Sequence, residues 1–277
     1  MTLDELNLKP SCSVSASAAP LSNGGWRLEI PSGPEGQYRL SQLDDYWGIK
    51  RDGFQWQVPV RLSMTARVSS TSIPGTWGFG LWNDPFSLSL GFGGGSRRFP
   101  MLPNTAWFFF ASPQNYLSLR DDVPAQGFLV QTFRSLKVPS ILLGLGVIGY
   151  PLMVSPRIAR VIRRVLRNFV RDDSYELTHD VTDWHKYSLA MEEGRVTFQV
   201  DDAPMFSTEV IPAGRLGIVI WIDNQYLSFK PDGRLSYGTL ACSETAWLEI
   251  RDIEVARIDD RKGNGNNYSD KTADVIT

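Results

Sequence analysis

Val60, Leu62, Met64, Ala66 and Val68 alternate with Arg61, Ser63, Thr65 and Arg67. A period of two sets one row of side chains against a core and the other toward solvent, which is a half-buried strand and not a helix face. The spacing returns at Tyr187, Leu189 and Met191 and at Val196, Phe198 and Val200, with Glu193 and Gly194 as the turn between them. Thr76–Trp82 and Thr105–Ala111 read as aromatic strands, and 216–222 is apolar enough for the middle of a sheet. Asp232 and Gly233, between the runs 226–229 and 235–237, form a hairpin turn signal. Leu248 and Ile250 face one way, and Ile253 and Val255 resume after a change of phase that predicts a bulge at Arg251 and Asp252. Short strands punctuated by turns make this an all-β sandwich, and 277 residues suit one such domain. Its expected extent is 25–256. The Ser- and Ala-rich residues 1–24 are expected to be a flexible lead-in, and 257–277, with Gly263, Asn264, Gly265, Asn266 and Asn267, a disordered tail.

One segment departs from this pattern. Residues 138–156 contain no charge, and 157–171 then hold six arginines and no acid. Ser155 stands at an N-cap position with Pro156 at the first helical one, where a missing N–H costs nothing. Ile158, Val161, Ile162, Val165, Leu166, Phe169 and Val170 follow at the spacing of one helical stripe, with the arginines on the other face. The preceding apolar run, 141–154, is shorter than the ~20 residues of a membrane span and is broken by three glycines and Pro151. The insertion 137–172 is therefore expected to be a hydrophobic flap plus an amphipathic helix. It is a lid over an apolar cavity, a membrane-interface element through 138–171, or an amphipathic helix packed on its own sheet with its arginines in water.

A net charge of −2 makes these arginines a local patch, and no zinc-finger, helix-turn-helix or RNA-binding signature accompanies them, so nucleic acid is not an expected partner. Cys12 and Cys242 make neither a disulfide framework nor a metal site. His179 and His185 lack ligand spacing, and neither a phosphate-binding loop nor a dinucleotide fingerprint is present; 91–95, though glycine-rich, precedes no helix. No metal or cofactor is expected. Asp4 and Glu5 without an apolar run argue against a secretory leader, so the expected location is cytoplasmic, peripheral at the inner membrane face if the insertion docks there.

The stretch Asp183, Trp184, His185, Lys186, Tyr187, Ser188, Leu189, followed by Gly194 through Asp202, resembles paired strands of laminarinase-type family-16 glycoside hydrolases and their lectin-like relatives. The closing stretch from Trp247 to Val255 resembles the last strand of the same concanavalin A-like jelly roll. That resemblance implies a jelly-roll sandwich and makes His185 a structural hydrogen-bonder. It does not carry the chemistry across. The family's hydrolases set E-x-D-x-E on one strand, so that alternate carboxylates face one cleft. Thr105–Ala111, expected in that place, holds aromatics and no carboxylate.

Polar groups interrupt the apolar material at strand ends: Gln42 to Tyr46, Asn83 and Asp84 after Trp82, and Asp223, Asn224, Gln225 and Tyr226 after Trp221. Gly78 and Gly80 are read as opening one strand face to a ligand. The expected catalytic residues are Asp223, Asp84 and Asp45, with convergence raising one pKa to leave a proton donor. The expected binding residues are Trp82, Asn83, Trp107, Phe109, Trp221, Asn224, Gln225 and Tyr226. Two function classes fit. One is an enzyme performing non-redox acid–base isomerisation or cyclisation on a lipophilic small molecule, of isoprenoid, polyketide or lipid type. The other is a carbohydrate-binding or atypical carbohydrate-active protein stacking sugars on Trp82, Trp107 and Trp221. A non-catalytic, membrane-associated lipid-binding protein is the blander form of the first.

Overall fold

The computed structural model describes residues 1, 6–22, 24–85, 101–137 and 155–258. Sixteen strands, β1 to β16, lie within these residues with one α-helix, α1 (Pro156–Leu166). Two seven-stranded antiparallel sheets face each other, and a two-stranded hairpin stands apart. In the first sheet the order is β1 (Lys9–Cys12), β4 (Leu40–Asp44), β13 (Gly217–Asp223), β6 (Thr76–Trp82), β7 (Thr105–Ala111), β8 (Gly127–Ser135) and β9 (Val170–Glu176). In the second it is β12 (Ala203–Thr208), β11 (Val196–Val200), β10 (His185–Met191), β5 (Val60–Val68), β16 (Ala246–Arg257), β3 (Trp26–Ile30) and β2 (Ser17–Pro20). The hairpin is β14 (Gln225–Phe229) with β15 (Leu235–Thr239). This is the expected all-β sandwich, with the strands named above present within about two residues of their expected bounds.

The core is the space between the sheets. Leu62, Met64, Ala66 and Val68 from β5 and Leu189 and Met191 from β10 meet Phe79, Phe108, Ile220 and Ile222 from the first sheet. Phe108 makes edge contacts with Tyr187 at 5.0 Å and Phe198 at 5.4 Å between ring centroids, the offset geometry that aromatic quadrupoles favour. The bulge foreseen at Arg251 and Asp252 is present: the β16–β5 register shifts between Arg251 and Glu254, and Asp252 takes φ 53°. Gly233 closes the hairpin at φ 84°.

Three expectations need revision. Residues 1–24 do more than lead in: β1 pairs with β4 in one sheet and β2 with β3 in the other, so this stretch supplies an edge strand to each. Strand pairing satisfies backbone groups that a loose segment would leave to water. The helix begins at Ser155 and Pro156 as expected but ends at Leu166, because Val170 pairs with Ser135 and the chain continues as β9. The faces of α1 are also not divided as the stripe suggests. Ala159 and Arg163 are buried, while Ile158, Val161 and Val165 are exposed. The uncharged flap 138–154, the glycine-rich 91–95 and most of the expected tail lie outside the described residues. No helix among the described residues is long and apolar enough to cross a membrane.

Candidate functional site

A sandwich sheet ordinarily turns polar side chains outward. Here the outer face of the first sheet carries a second apolar cluster. Alternation puts Trp77, Phe79 and Leu81 of β6 into the core and Thr76, Gly78, Gly80 and Trp82 outward. On β7 the outward set is Thr105, Trp107, Phe109 and Ala111; on β8 it is Leu129, Gln131, Phe133 and Ser135; on β13 it is Gly217, Val219, Trp221 and Asp223. Trp107 and Trp221 flank β6, and their rings stand 5.3 Å apart. Trp82 stacks on Trp221 at 6.4 Å, and Phe109 on Trp107 at 5.1 Å.

The two glycines of β6 allow this. A Cβ on Gly78 would stand 2.9 Å from the tip of the Trp221 indole and 2.5 Å from Phe108 O; one on Gly80 would stand 2.6 Å from Trp107 Cα. The opening read from Gly78 and Gly80 is thus filled by the protein's own indoles. Trp107 and Trp221 are each only 8 % exposed.

Each indole N–H on this face has a polar partner in the same face. Trp82 donates to the Tyr46 hydroxyl at 2.8 Å, Trp221 to Thr76 Oγ1 at 2.9 Å, and Trp107 weakly to Gln131 Oε1 at 3.4 Å. Thr76 Oγ1 in turn donates to Asp223 Oδ1 at 2.7 Å. Burial pushes the Asp223 carboxyl up to about 7, against the opposing effect of the Thr76 and Gln225 hydrogen bonds. Tyr38 shares that end of the face: burial and then the charge of Asp223 raise its phenol. Gln42 Nε2 donates to Asp44 Oδ2 at 2.9 Å and to the Tyr46 hydroxyl at 3.4 Å, tying a second carboxylate to the wall. Asp44 is fully buried, and burial, with Asp84's charge adding to it, raises its pKa.

Two polar atoms on the face stand out. Thr105 Oγ1 and Gln131 Nε2 are buried and have no hydrogen-bond partner among the described residues. Gln131 sits directly opposite Trp107, and Thr105 is the next outward residue along β7. Such a group costs about 1–3 kcal/mol while it lacks a partner.

The three expected catalytic carboxylates do not converge. Asp45 follows β4 and accepts from Trp56 Nε1 at 2.6 Å and from Ile218 N at 2.8 Å. Burial pushes it up to about 6, but both oxygens are held by the fold. Its anchor is at the start of β13, whereas Asp223 is at the end. The parity of an extended strand makes Asp44, with Leu40 and Gln42, the acid that faces the indoles. Asp84 takes φ 49° and offers its carbonyl to Arg51.

Trp82, Trp107, Phe109 and Trp221 stand together on this face, but Asn83 and Asn224 serve the backbone. Asn83 bridges Leu102 O and Asn104 N, and Asn224 accepts from Arg39 N and donates to Gln37 O and Leu240 O. Gln225 contributes its main-chain N–H to Asp223. Tyr226 belongs to a separate polar groove of about 610 Å³, with Glu35, Ser228, Lys230 and Thr239 also on its walls. Thr76, Thr105, Gln131 and Tyr38 were not singled out in sequence. A lone Gln at an outward position of the apolar run 128–133 was the available signal.

The histidines pair with each other's surroundings. His179 Nε2 meets the Tyr187 hydroxyl at 2.9 Å, and His185 lies between Asp201 Oδ2 at 2.7 Å and Asp180 O at 2.9 Å. No group of three or more His, Cys, Asp or Glu side chains is placed to hold a metal ion among the described residues.

No protein-family model and no curated protein matches this chain. Solved structures similar to it include a GH16 protein of the Bacteroides ovatus mixed-linkage glucan locus in complex with a product, at 8 % identity and TM-score 0.47, covering 92 % of this chain and 97 % of that one. A glycoside hydrolase family 16 endo-glucanase from Bacteroides ovatus aligns at 7 % identity and TM-score 0.48 over 92 % of this chain and 96 % of its own. The carbohydrate recognition domain of Emp47p aligns at 13 % identity and TM-score 0.45 over 91 % and 88 %. At these values no activity is carried across.

Proposed function

We propose that the outer aromatic face of the first sheet binds a neutral carbohydrate. The observation that carries this reading is the pair of unpartnered polar atoms, Thr105 Oγ1 and Gln131 Nε2, buried beside Trp107. A purely apolar ligand would leave both unmatched. Both atoms are closed off from solvent, so the reading requires the side chains over them to part. A sugar ring then offers hydroxyls to such atoms on its edge and C–H groups to an indole on its face, and one ligand type answers both halves of the wall. The second reading is acid–base chemistry on a lipophilic molecule. It is favoured by Asp223, which burial holds near half-protonation at neutral pH.

Intrinsic tryptophan fluorescence with neutral glucan oligosaccharides, and separately with an isoprenoid alcohol, tests the two. Oligosaccharides are expected to change the emission saturably. Trp107→Ala and Gln131→Leu should each weaken that binding about tenfold, the loss of roughly 1.4 kcal/mol. Saturable binding of the isoprenoid alcohol with no response to oligosaccharides would overturn the carbohydrate reading.

A further inference from the structure

Helix α1 is held to the body through Arg163 and Ala159, with Ile162 and Leu166 half-buried, and turns three further apolar side chains outward. Arg163 is 2 % exposed. It donates to Phe229 O at 2.6 Å and Arg120 O at 2.8 Å, with Asp121 at 3.3 Å and the Tyr116 ring beneath it at 5.3 Å. Arg167 joins the same Asp121 at 2.5 Å. This clamp fixes which side of the helix looks out. On that side Ile158 is 40 %, Val161 56 % and Val165 47 % exposed. At about 100° per residue these three fall in a sector of roughly 60°. Arg157, Arg160 and Arg164 are exposed beside it, and α1 contains no acid.

We propose that this face docks α1 onto an anionic phospholipid surface. An apolar strip bordered by arginines along a fixed helix fits the boundary between acyl chains and headgroups: the aliphatic groups enter, and each guanidinium meets phosphate. Charge complementarity selects that occupant. A nucleic acid would satisfy the arginines and leave the strip wet. A second copy seated face to face would set the arginines of one chain against those of the other. Because the whole chain carries −2, the attraction belongs to this patch and not to a general basic field. Three arginines, plus partial insertion of three aliphatic side chains, give reversible, salt-sensitive attachment.

The test is flotation of the full chain with vesicles of phosphatidylcholine alone and of phosphatidylcholine containing about 30 % phosphatidylserine. Binding is expected only to the anionic vesicles and is expected to fall as salt rises. The exposed-site variants Arg157→Gln/Arg160→Gln/Arg164→Gln and Ile158→Ser/Val161→Ser/Val165→Ser should each lower it at least about tenfold. Both should keep the far-ultraviolet spectrum and the oligosaccharide response of the parent, since none of these residues belongs to the aromatic face. Failure to bind anionic vesicles, or equal binding by parent and both variants, would overturn the proposal. So would a concentration-dependent dimer that only the serine variant abolishes, which assigns the face to a second copy.

Discussion

Gly80→Ala is expected to lower the urea midpoint by roughly 1 M or more, a loss on the order of 3 kcal/mol, and to abolish the fluorescence response to ligand. The new Cβ would lie 2.4 Å from Ala106 O and 2.6 Å from both Trp107 Cα and Cβ. Two of those atoms are backbone of β7, paired on its other side with β8, so they cannot swing away as a side-chain tip does. Either β6 and β7 separate or β6 bends, and each outcome moves Trp107 off Gln131. Gly194→Ala is the control: its Cβ meets nothing within 4 Å, and its stability should stay within about 0.5 kcal/mol of the parent. A midpoint for Gly80→Ala equal to that of Gly194→Ala would show that the close approach of β6 to β7 does not constrain the sheet.

The same glycines show where the sequence stopped being informative. That Gly78 and Gly80 mark a close approach was legible; that the approaching groups are Trp107 and Trp221 required knowing that β7 and β13 both flank β6. Alternation along Val60–Val68 or Val196–Val200 located strands because one face is dry and the other wet. It cannot say which side of a doubly apolar strand such as Thr105–Ala111 faces the core, since all seven residues are buried. The run Gln42 to Tyr46 does not show which of its two acids faces the indoles; the β4 register, pairing Gln42 with Trp221 and Asp44 with Val219, puts Asp44 on that wall, while Asp45 is tied to Trp56. In α1 the stripe of Ile and Val was plain, but its direction was set by Arg163, whose partners Asp121, Arg120 and Phe229 are far away in sequence.

Asp223→Asn should make the protein more stable than the parent at pH 8 and nearly equal to it at pH 4. The folded carboxyl titrates near 7, whereas in the unfolded chain it titrates near its ordinary 3.8. Below 3.8 both states hold the proton and no difference arises. Between those values the unfolded chain has released its proton while the folded one still keeps it, so parental stability falls as pH rises, and the fall levels off above 7. At about 1.4 kcal/mol per factor of ten, the gap grows to at most about 4 kcal/mol. Asn stays neutral throughout and retains an oxygen to accept from Thr76 Oγ1, so the chain from Trp221 through Thr76 survives the change. Asp45, also raised, contributes a slope of the same sign to both proteins, and the difference between them therefore reports Asp223 alone. Urea unfolding at pH 4, 6 and 8 measures it. Parallel curves for parent and variant would mean that Asp223 is ionised in the folded protein at neutral pH, and with that the acid–base reading of this face would lose its proton donor.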